Sequence, residues 1–143
     1  MAASKLSIVT NAGIDALVAD ATLSGLLGGA KVYNHLPQNT AAPYVMGLGG
    51  EEAPWAEIFD ETGDDGARQV DFEARIVSAY EGTKELDTIA SRVLAVLTTP
   101  STWSGLSGFS ASVFLRHTRP TVIEWNGVLY FERWCVVRVF LYA

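Results

Sequence analysis

Cysteine and histidine are nearly missing from this chain: Cys135, His35 and His117 are all that 143 residues provide. A lone cysteine excludes an intrachain disulfide and any cysteine-based zinc cluster, and it fits a reducing compartment. Two histidines in separate segments, neither with a ligand-spaced partner, leave a metal ion short of convergent donors. They read as surface or loop residues. Basic charge is scarce as well, with 10 Lys and Arg against 16 Asp and Glu and a net charge of −6. A general nucleic-acid binder needs a basic face to displace phosphate counterions, so that class is excluded. Long apolar runs are also lacking. Asn11, Gly13 and Asp15 interrupt the N-terminal region well short of the roughly 18 residues of a membrane span. Met1-Ala2-Ala3-Ser4-Lys5 does not lead into the apolar stretch of a signal peptide. A soluble, unexported protein of the cytoplasm, with no membrane partner, is expected.

What is present is enough apolar residue for a core: 49% hydrophobic against 18% charged excludes a disordered tail. Leu6, Val9, Ala16 and Leu17, with Ile14 and Val18 beside them, recur at three- and four-residue spacing and predict a core-facing helix over about 5–19. Asp20 is placed to cap a second, short helix whose Leu23, Leu26 and Leu27 cluster, and Gly28-Gly29 ends it. Val32-Tyr33 reads as an edge-like strand and Tyr44–Leu48 as a compact strand after Pro43. Val70, Phe72, Ala74 and Ile76 alternate with Gln69, Asp71, Glu73 and Arg75, the mark of a half-buried strand. Leu86, Ile89, Ala90, Val93, Leu94 and Leu97 follow helical spacing, with Thr83 as cap and Thr98-Thr99-Pro100-Ser101 as stop. Strands over about 110–115 and 128–142 complete the chain, the second opened by the Asn126-Gly127 turn. The order predicts one α+β domain over 1–143. Its mainly antiparallel sheet would have about four to five strands, with two main helices on one face and a long loop or hairpin arm. Residues 51–66, with seven acidic residues and no basic one, are the expected arm.

No catalytic constellation accompanies these elements. Gly28-Gly29-Ala30-Lys31 lacks the phosphate-loop spacing and precedes a strand rather than following one. Gly47-Leu48-Gly49-Gly50 falls short of the dinucleotide pattern and runs into Glu51-Glu52, which repel phosphate. Asp60 to Gly66 invites a calcium reading, but the EF-hand positions for glycine and glutamate hold Asp65 and Asp71. A solvated acidic loop is the better reading. Cys135 alternates with core-like residues and reads as a packed thiol. No cofactor and no metal are expected.

The last strand instead looks built for a neighbour. One face carries Leu129, Phe131, Cys135, Val137, Val139 and Leu141, with Arg133 the exception. The other carries Tyr130, Glu132, Trp134, Val136, Arg138, Phe140 and Tyr142, too aromatic to face water in a small monomer. About 13 residues at ~3.3 Å span on the order of 43 Å. That length crosses or overhangs a domain whose radius of gyration is ~14–15 Å. Those seven residues are the expected subunit interface, tyrosine and tryptophan being enriched at such surfaces. A second expected contact lies in the acidic segment. Trp55, Ile58 and Phe59, among Asp60, Glu61, Asp64 and Asp65, have no use in an arm that stays in solvent.

The ordered set resembles the siphophage tail completion or tail terminator family. Its D-x-x-L-x-x-L-[LV]-G turn corresponds to Asp20–Gly28, its [VI]-Y strand to Val32-Tyr33, its proline to Pro37, and its P-Y-V strand to Pro43-Tyr44-Val45. An acidic, glycine-containing loop with Gly63-Asp64-Asp65-Gly66 follows, then an alternating strand, a helix, and a final strand opened by Gly127-Val128-Leu129. The resemblance implies a non-enzymatic virion protein of the tail–neck region, assembled in the host cytoplasm. It implies a ring, by family analogy a hexamer, that caps the tail tube, stops its polymerisation and offers the head-joining surface. Its partners would be further copies of itself, the tail tube protein and a head–tail connector or stopper protein, with DNA only as passing cargo. A ring of this kind is closed and heterologous, and an acidic lumen lets DNA slide. A head-to-tail connector or stopper component is the rival reading, and a small ligand-binding domain the more distant one.

Overall fold

The computed structural model describes residues 6–37, 40–54, 68–79, 84–104, 106, 110–125 and 127–142. Helix α1 (Leu6–Ala19) buries Val9, Gly13 and Leu17, one face at four-residue spacing. Helix α2 (Ala21–Leu27) shows why the short Asp-to-Gly motif is written as it is. Asp20 Oδ2 accepts the Leu23 N–H at 2.9 Å, Leu23 and Leu27 are buried, and Gly28 closes the helix at φ 77° while its N–H reaches Ser24 O. Strand β1 (Val32–Tyr33) pairs parallel with β2 (Tyr44–Pro54), and the intervening Ala42–Pro43 bond is cis. Strand β3 (Arg68–Ser78) leads into helix α3 (Lys84–Leu97), which buries Leu86, Ile89, Ala90, Val93 and Leu97. Thr83, the expected cap of α3, lies outside the described residues. A 3-10 turn (Pro100–Thr102) separates α3 from the hairpin of β4 (Ser110–Trp125) and β5 (Val128–Tyr142).

The five strands form one sheet in the order β1-β2-β3-β5-β4, antiparallel except for the β1–β2 pair. Strand β5 is therefore internal, between β3 and β4, and β4 is an edge. Pro120 sits on that edge strand, where its missing N–H leaves no central ladder bond unmade. The helices share the core with Phe72, Ile76, Val137, Val139 and Leu141 on one face of the sheet.

Two strands run further than the sequence predicts. Strand β2 passes Leu48 and continues to Pro54, so residues 51–54, the start of the acidic segment, lie in the sheet. Glu52, Ala53 and Pro54 pair with Val70, Gln69 and Arg68 after an irregularity between Gly49 and Glu52. The glycines here have a packing role. A Cβ on Gly47 would stand 2.6 Å from Ile14 Cγ1, and one on Gly49 would stand 2.8 Å from Thr10 Oγ1. From the facing helix, a Cβ on Gly13 would meet the Phe72 ring at 2.6 Å. The absent side chains let α1 lie close against β2 and β3, so the glycine run serves helix–sheet contact rather than a phosphate. Strand β4 likewise passes Leu115 and reaches Trp125. A bulge between Leu115 and His117 shifts its alternation by one residue and hides the period that a sequence scan counts.

Asp20 ties α2 to α3 as well as capping it, because Arg92 Nε donates to its Oδ2 at 2.8 Å. The Arg92 hydrogen bond holds the Asp20 carboxyl below the usual carboxylate range, against the opposing effect of burial. A lowered folded-state value contributes stability that is present above the unfolded pKa of ~3.9 and is lost as pH falls through the folded one. Asp20→Ala is therefore expected to cost about 0.5–2 kcal/mol at neutral pH. The difference from wild type should shrink on acidification below about pH 4. Urea unfolding at pH 7 and pH 3 checks this; an equal difference at both would show that the charge contributes nothing.

Candidate assembly interface

Strand β5 keeps strict alternation along its pairing with β3, from Phe131 opposite Ser78 to Leu141 opposite Arg68. Cys135, Val137, Val139 and Leu141 are buried beneath the helices. Burial pushes the Cys135 thiol up to about 11, which keeps it protonated and inert as a packed core group. Arg133, the charged residue on this face, reaches Asp87 of α3 at 2.9 Å.

The outer face is more polar than its sequence suggests, because register places charged residues of β3 and β4 beside the aromatic ones of β5. Trp134 lies between Arg75 on β3 and Arg119 on β4. Both guanidiniums stand over its ring, at 3.9 Å and 4.9 Å from the centroid. Cation–π contacts of this kind contribute about 0.5–1 kcal/mol each where partly solvated. The indole N–H donates to Glu132 Oε1 at 2.6 Å, and Thr121 Oγ1 donates to the same oxygen at 2.9 Å. Arg75 Nε stands 3.9 Å from Glu132 Oε2, a charge contact too long for a hydrogen bond. In the same cross-sheet row as Glu132, Tyr44 is raised above the usual phenol range, first by burial and then by the Glu132 charge. Four residues beyond Trp134 on the same face, Arg138 grips Asp71 with Nε to Oδ1 at 2.8 Å and a second nitrogen to Oδ2 at 3.3 Å.

Burial divides the seven expected interface residues. Val136 and Glu132 are only 1% and 4% exposed, so they are covered within the chain and are not available as contact surface. Val136 sits mid-sheet between Glu73 and His117 in register, and Glu132 is enclosed by its own hydrogen-bond partners. Tyr130, Trp134, Arg138 and Phe140 remain half-buried. Tyr142 pairs with Ser110 at the strand end, and its side chain lies outside the described residues. Trp55, Ile58, Phe59, Asp60, Glu61, Asp64 and Asp65 of the expected arm lie outside them too.

The feature that sequence reasoning missed is the tip of the β4–β5 hairpin. Pairing with β3 stops at Phe131, while pairing with β4 continues to Trp125 opposite Val128. Residues 123–125 and 128–130 thus form a two-stranded ribbon beyond the sheet, turned at Gly127 with φ 75°. Ile123, Val128 and Leu129 are 42%, 44% and 52% exposed there, and Val122, at the last row still backed by β3, is 60% exposed. By register Val122 and Leu129 continue the helix-side face, and Ile123 and Val128 the outer face. A ribbon that is apolar on both sides and unsupported by a third strand is marginal in water by itself. Among the described residues, no group of three His, Cys, Asp or Glu side chains is placed to hold a metal ion.

A family model described as "Tail completion protein gp17" matches residues 14–123 of this chain. The chain belongs to the tail completion protein family. Its match begins within α1, includes the Asp20–Gly28 turn, and ends in the hairpin tip. The fold also resembles a chain in the solved structure titled "Virion of native gene transfer agent (GTA) particle". That alignment has a TM-score of 0.75 at 20% identity and covers 99% of this chain and 100% of the other. None of the curated proteins matches the sequence. As a tail completion protein the chain is a structural component of a bacteriophage virion. It is located in the tail region, in association with other tail and head proteins.

Proposed function

We propose that this tail completion protein is non-enzymatic and forms a closed ring, a hexamer by analogy with the family. The ring caps the tail tube, stops its polymerisation and presents the surface that the head connector joins. The observation that carries the reading is the overhanging hairpin. Its four exposed aliphatic side chains, two on each face, with the half-buried Tyr130 beside them, are apolar groups that a neighbouring subunit would take out of water. A ring in which different patches of each subunit meet covers those groups and closes. The acidic segment, with Trp55, Ile58 and Phe59 among Asp60, Glu61, Asp64 and Asp65, is a second partner contact proposed on its composition, directed at the tube or the neck. DNA passes through the lumen as cargo only.

Trp134 is the anchor to test. Trp134→Ala is expected to weaken ring association by about 2 kcal/mol or more, the loss typical of a truncated interface tryptophan. The subunits should remain folded by circular dichroism, since the residue is only half-buried. Sedimentation and particle imaging of wild type and variant check this, in solution and on assembled tails. A wild-type protein that is monomeric in both settings would overturn the ring.

A further inference from the structure

The helical layer stops short of the end of the sheet. Helix α1 lies on β2 and β3 and α3 on β3 and β5, whereas the edge strand β4 meets chiefly the 3-10 turn. Register puts Leu115, Thr118, Pro120 and Val122 of β4 on the helix side, opposite Val137, Cys135, Arg133 and Phe131 of β5. Leu115 is 50% exposed, Val122 more so, and Pro120 is exposed between them, with Leu129 continuing the strip on β5. This is an apolar lane beside the core, bare of helix among the described residues. We propose that α1 of a second copy of this chain lies along it.

Length, apolar pattern and charge select that helix. Between Val137 and Phe131, the partners of Leu115 and Val122, β5 advances ~20 Å. The 14 residues of α1 extend ~21 Å. Helix α3 is as long, but its exposed side carries Lys84, Asp87, Thr88 and Ser91. On α1, Ile8, Asn11, Asp15 and Val18 recur at three- and four-residue spacing on the exposed side, with the two aliphatic residues 39% and 40% exposed. A helix face with aliphatic ends and a polar middle thus meets a lane with Leu115 and Val122 at its ends and Thr118 and Arg133 midway. Asp15 is the one charged residue of α1, and it has no ion-pair partner among the described residues. Arg133, 23% exposed, gives one nitrogen to Asp87, while its Nε makes no hydrogen bond among the described residues. A guanidinium has five N–H donors, so it can take the Asp15 carboxylate as a second acceptor. The outward side of α1 and the β4 lane are different patches, and a heterologous contact between different patches is what a closed ring requires. The inference rests on the ring reading and adds its contact.

Cross-linking separates the two. Ile8→Cys and Val18→Cys are each mixed with Val122→Cys and treated with a short bis-maleimide, the buried Cys135 being left in place. Cross-linked dimer is expected in one of the two mixtures, according to the direction in which the helix lies, and in no preparation alone. Asp15→Lys should weaken assembly roughly tenfold while the subunit stays folded, and Asp15→Lys with Arg133→Glu should restore it. Rings seen by imaging with no cross-link in either mixture would overturn the helix-in-lane contact and leave the ring reading standing. Val122→Cys that links to itself would do the same, by showing that the lane faces its own counterpart. Assembly unchanged in Asp15→Lys would also overturn the contact, because that carboxylate is what selects α1. Monomers without cross-links, both in solution and in assembled tails, would remove both.

Discussion

Arg138→Ala is expected to cost about 3–5 kcal/mol of folding stability, although Arg138 lies on the face assigned to subunit contact. Its partner Asp71 is 1% exposed, and the fork of two nitrogen–oxygen contacts supplies the compensation that a buried carboxylate needs. Removing the guanidinium leaves that charge in a low-dielectric site between β2 and β5. The Arg138 guanidinium is held more firmly protonated than usual, chiefly by its hydrogen bonds to Asp71, in agreement with a tight pair. Two companions separate the charge effect from packing. Asp71→Asn/Arg138→Met together should lose far less than Arg138→Ala, because neither side chain then carries a charge into the site. Arg133→Ala should lose under about 1 kcal/mol, since its partner Asp87 is 52% exposed and solvent screens the pair. Urea unfolding of the three variants at neutral pH checks this. A loss below 1 kcal/mol for Arg138→Ala would mean that Asp71 is satisfied without it. The result also bears on assembly, because a ring lost in Arg138→Ala would report a damaged subunit rather than a missing contact.

The elements written in local chemistry were legible in the sequence. Asp20, Leu23, Leu27 and Gly28 each hold the position the motif assigns: cap, two core anchors and left-handed stop. The α3 stripe and the alternation of β3 and β5 appear as read, because each repeats a single period over a continuous segment. The Asn126-Gly127 signal also lies where the chain turns between β4 and β5. The tail completion family is legible for the same reason, since its resemblance consists of such local motifs in order.

What failed to show depends on neighbours that are distant in sequence. Gly47 and Gly49 look like a weak nucleotide loop until α1 is laid over them, and only then is the missing Cβ seen to be a requirement of packing. The outer face of β5 looks like bare aromatic surface until register sets Arg75 and Arg119 against Trp134 and Asp71 against Arg138. Val136 reads as exposed by alternation, yet side-by-side strands cover it on both flanks. The bulge in β4 breaks the period, and Pro120 argues against a strand, so the length of β4, and with it the two-stranded tip it forms with the long last strand, did not show. Alternation reports which face a residue occupies; cross-strand pairing decides whether that face is free.

Trp103→Ala is expected to destabilise the subunit by about 3–5 kcal/mol, the range for truncating a buried large aromatic. The side chain is fully buried and lies edge-on to Phe72, with centroids 6.0 Å apart and planes at 61°. Its indole N–H donates to Leu97 O at 2.7 Å and so satisfies one of the carbonyls left over at the end of α3. The same Phe72 ring fills the space that Gly13 leaves in α1. One aromatic pair therefore joins α1, β3 and the end of α3 just before the chain enters the hairpin. Trp103→Phe keeps most of the volume and drops the hydrogen bond, so its loss should be clearly smaller than that of Trp103→Ala. Denaturant unfolding of both variants measures the difference. Because the turn carrying Trp103 leads into β4, the alanine variant should also raise amide exchange in β4 more than in β2. Unchanged exchange in β4, or a stability loss below about 1.5 kcal/mol, would show that the hairpin is held without this anchor.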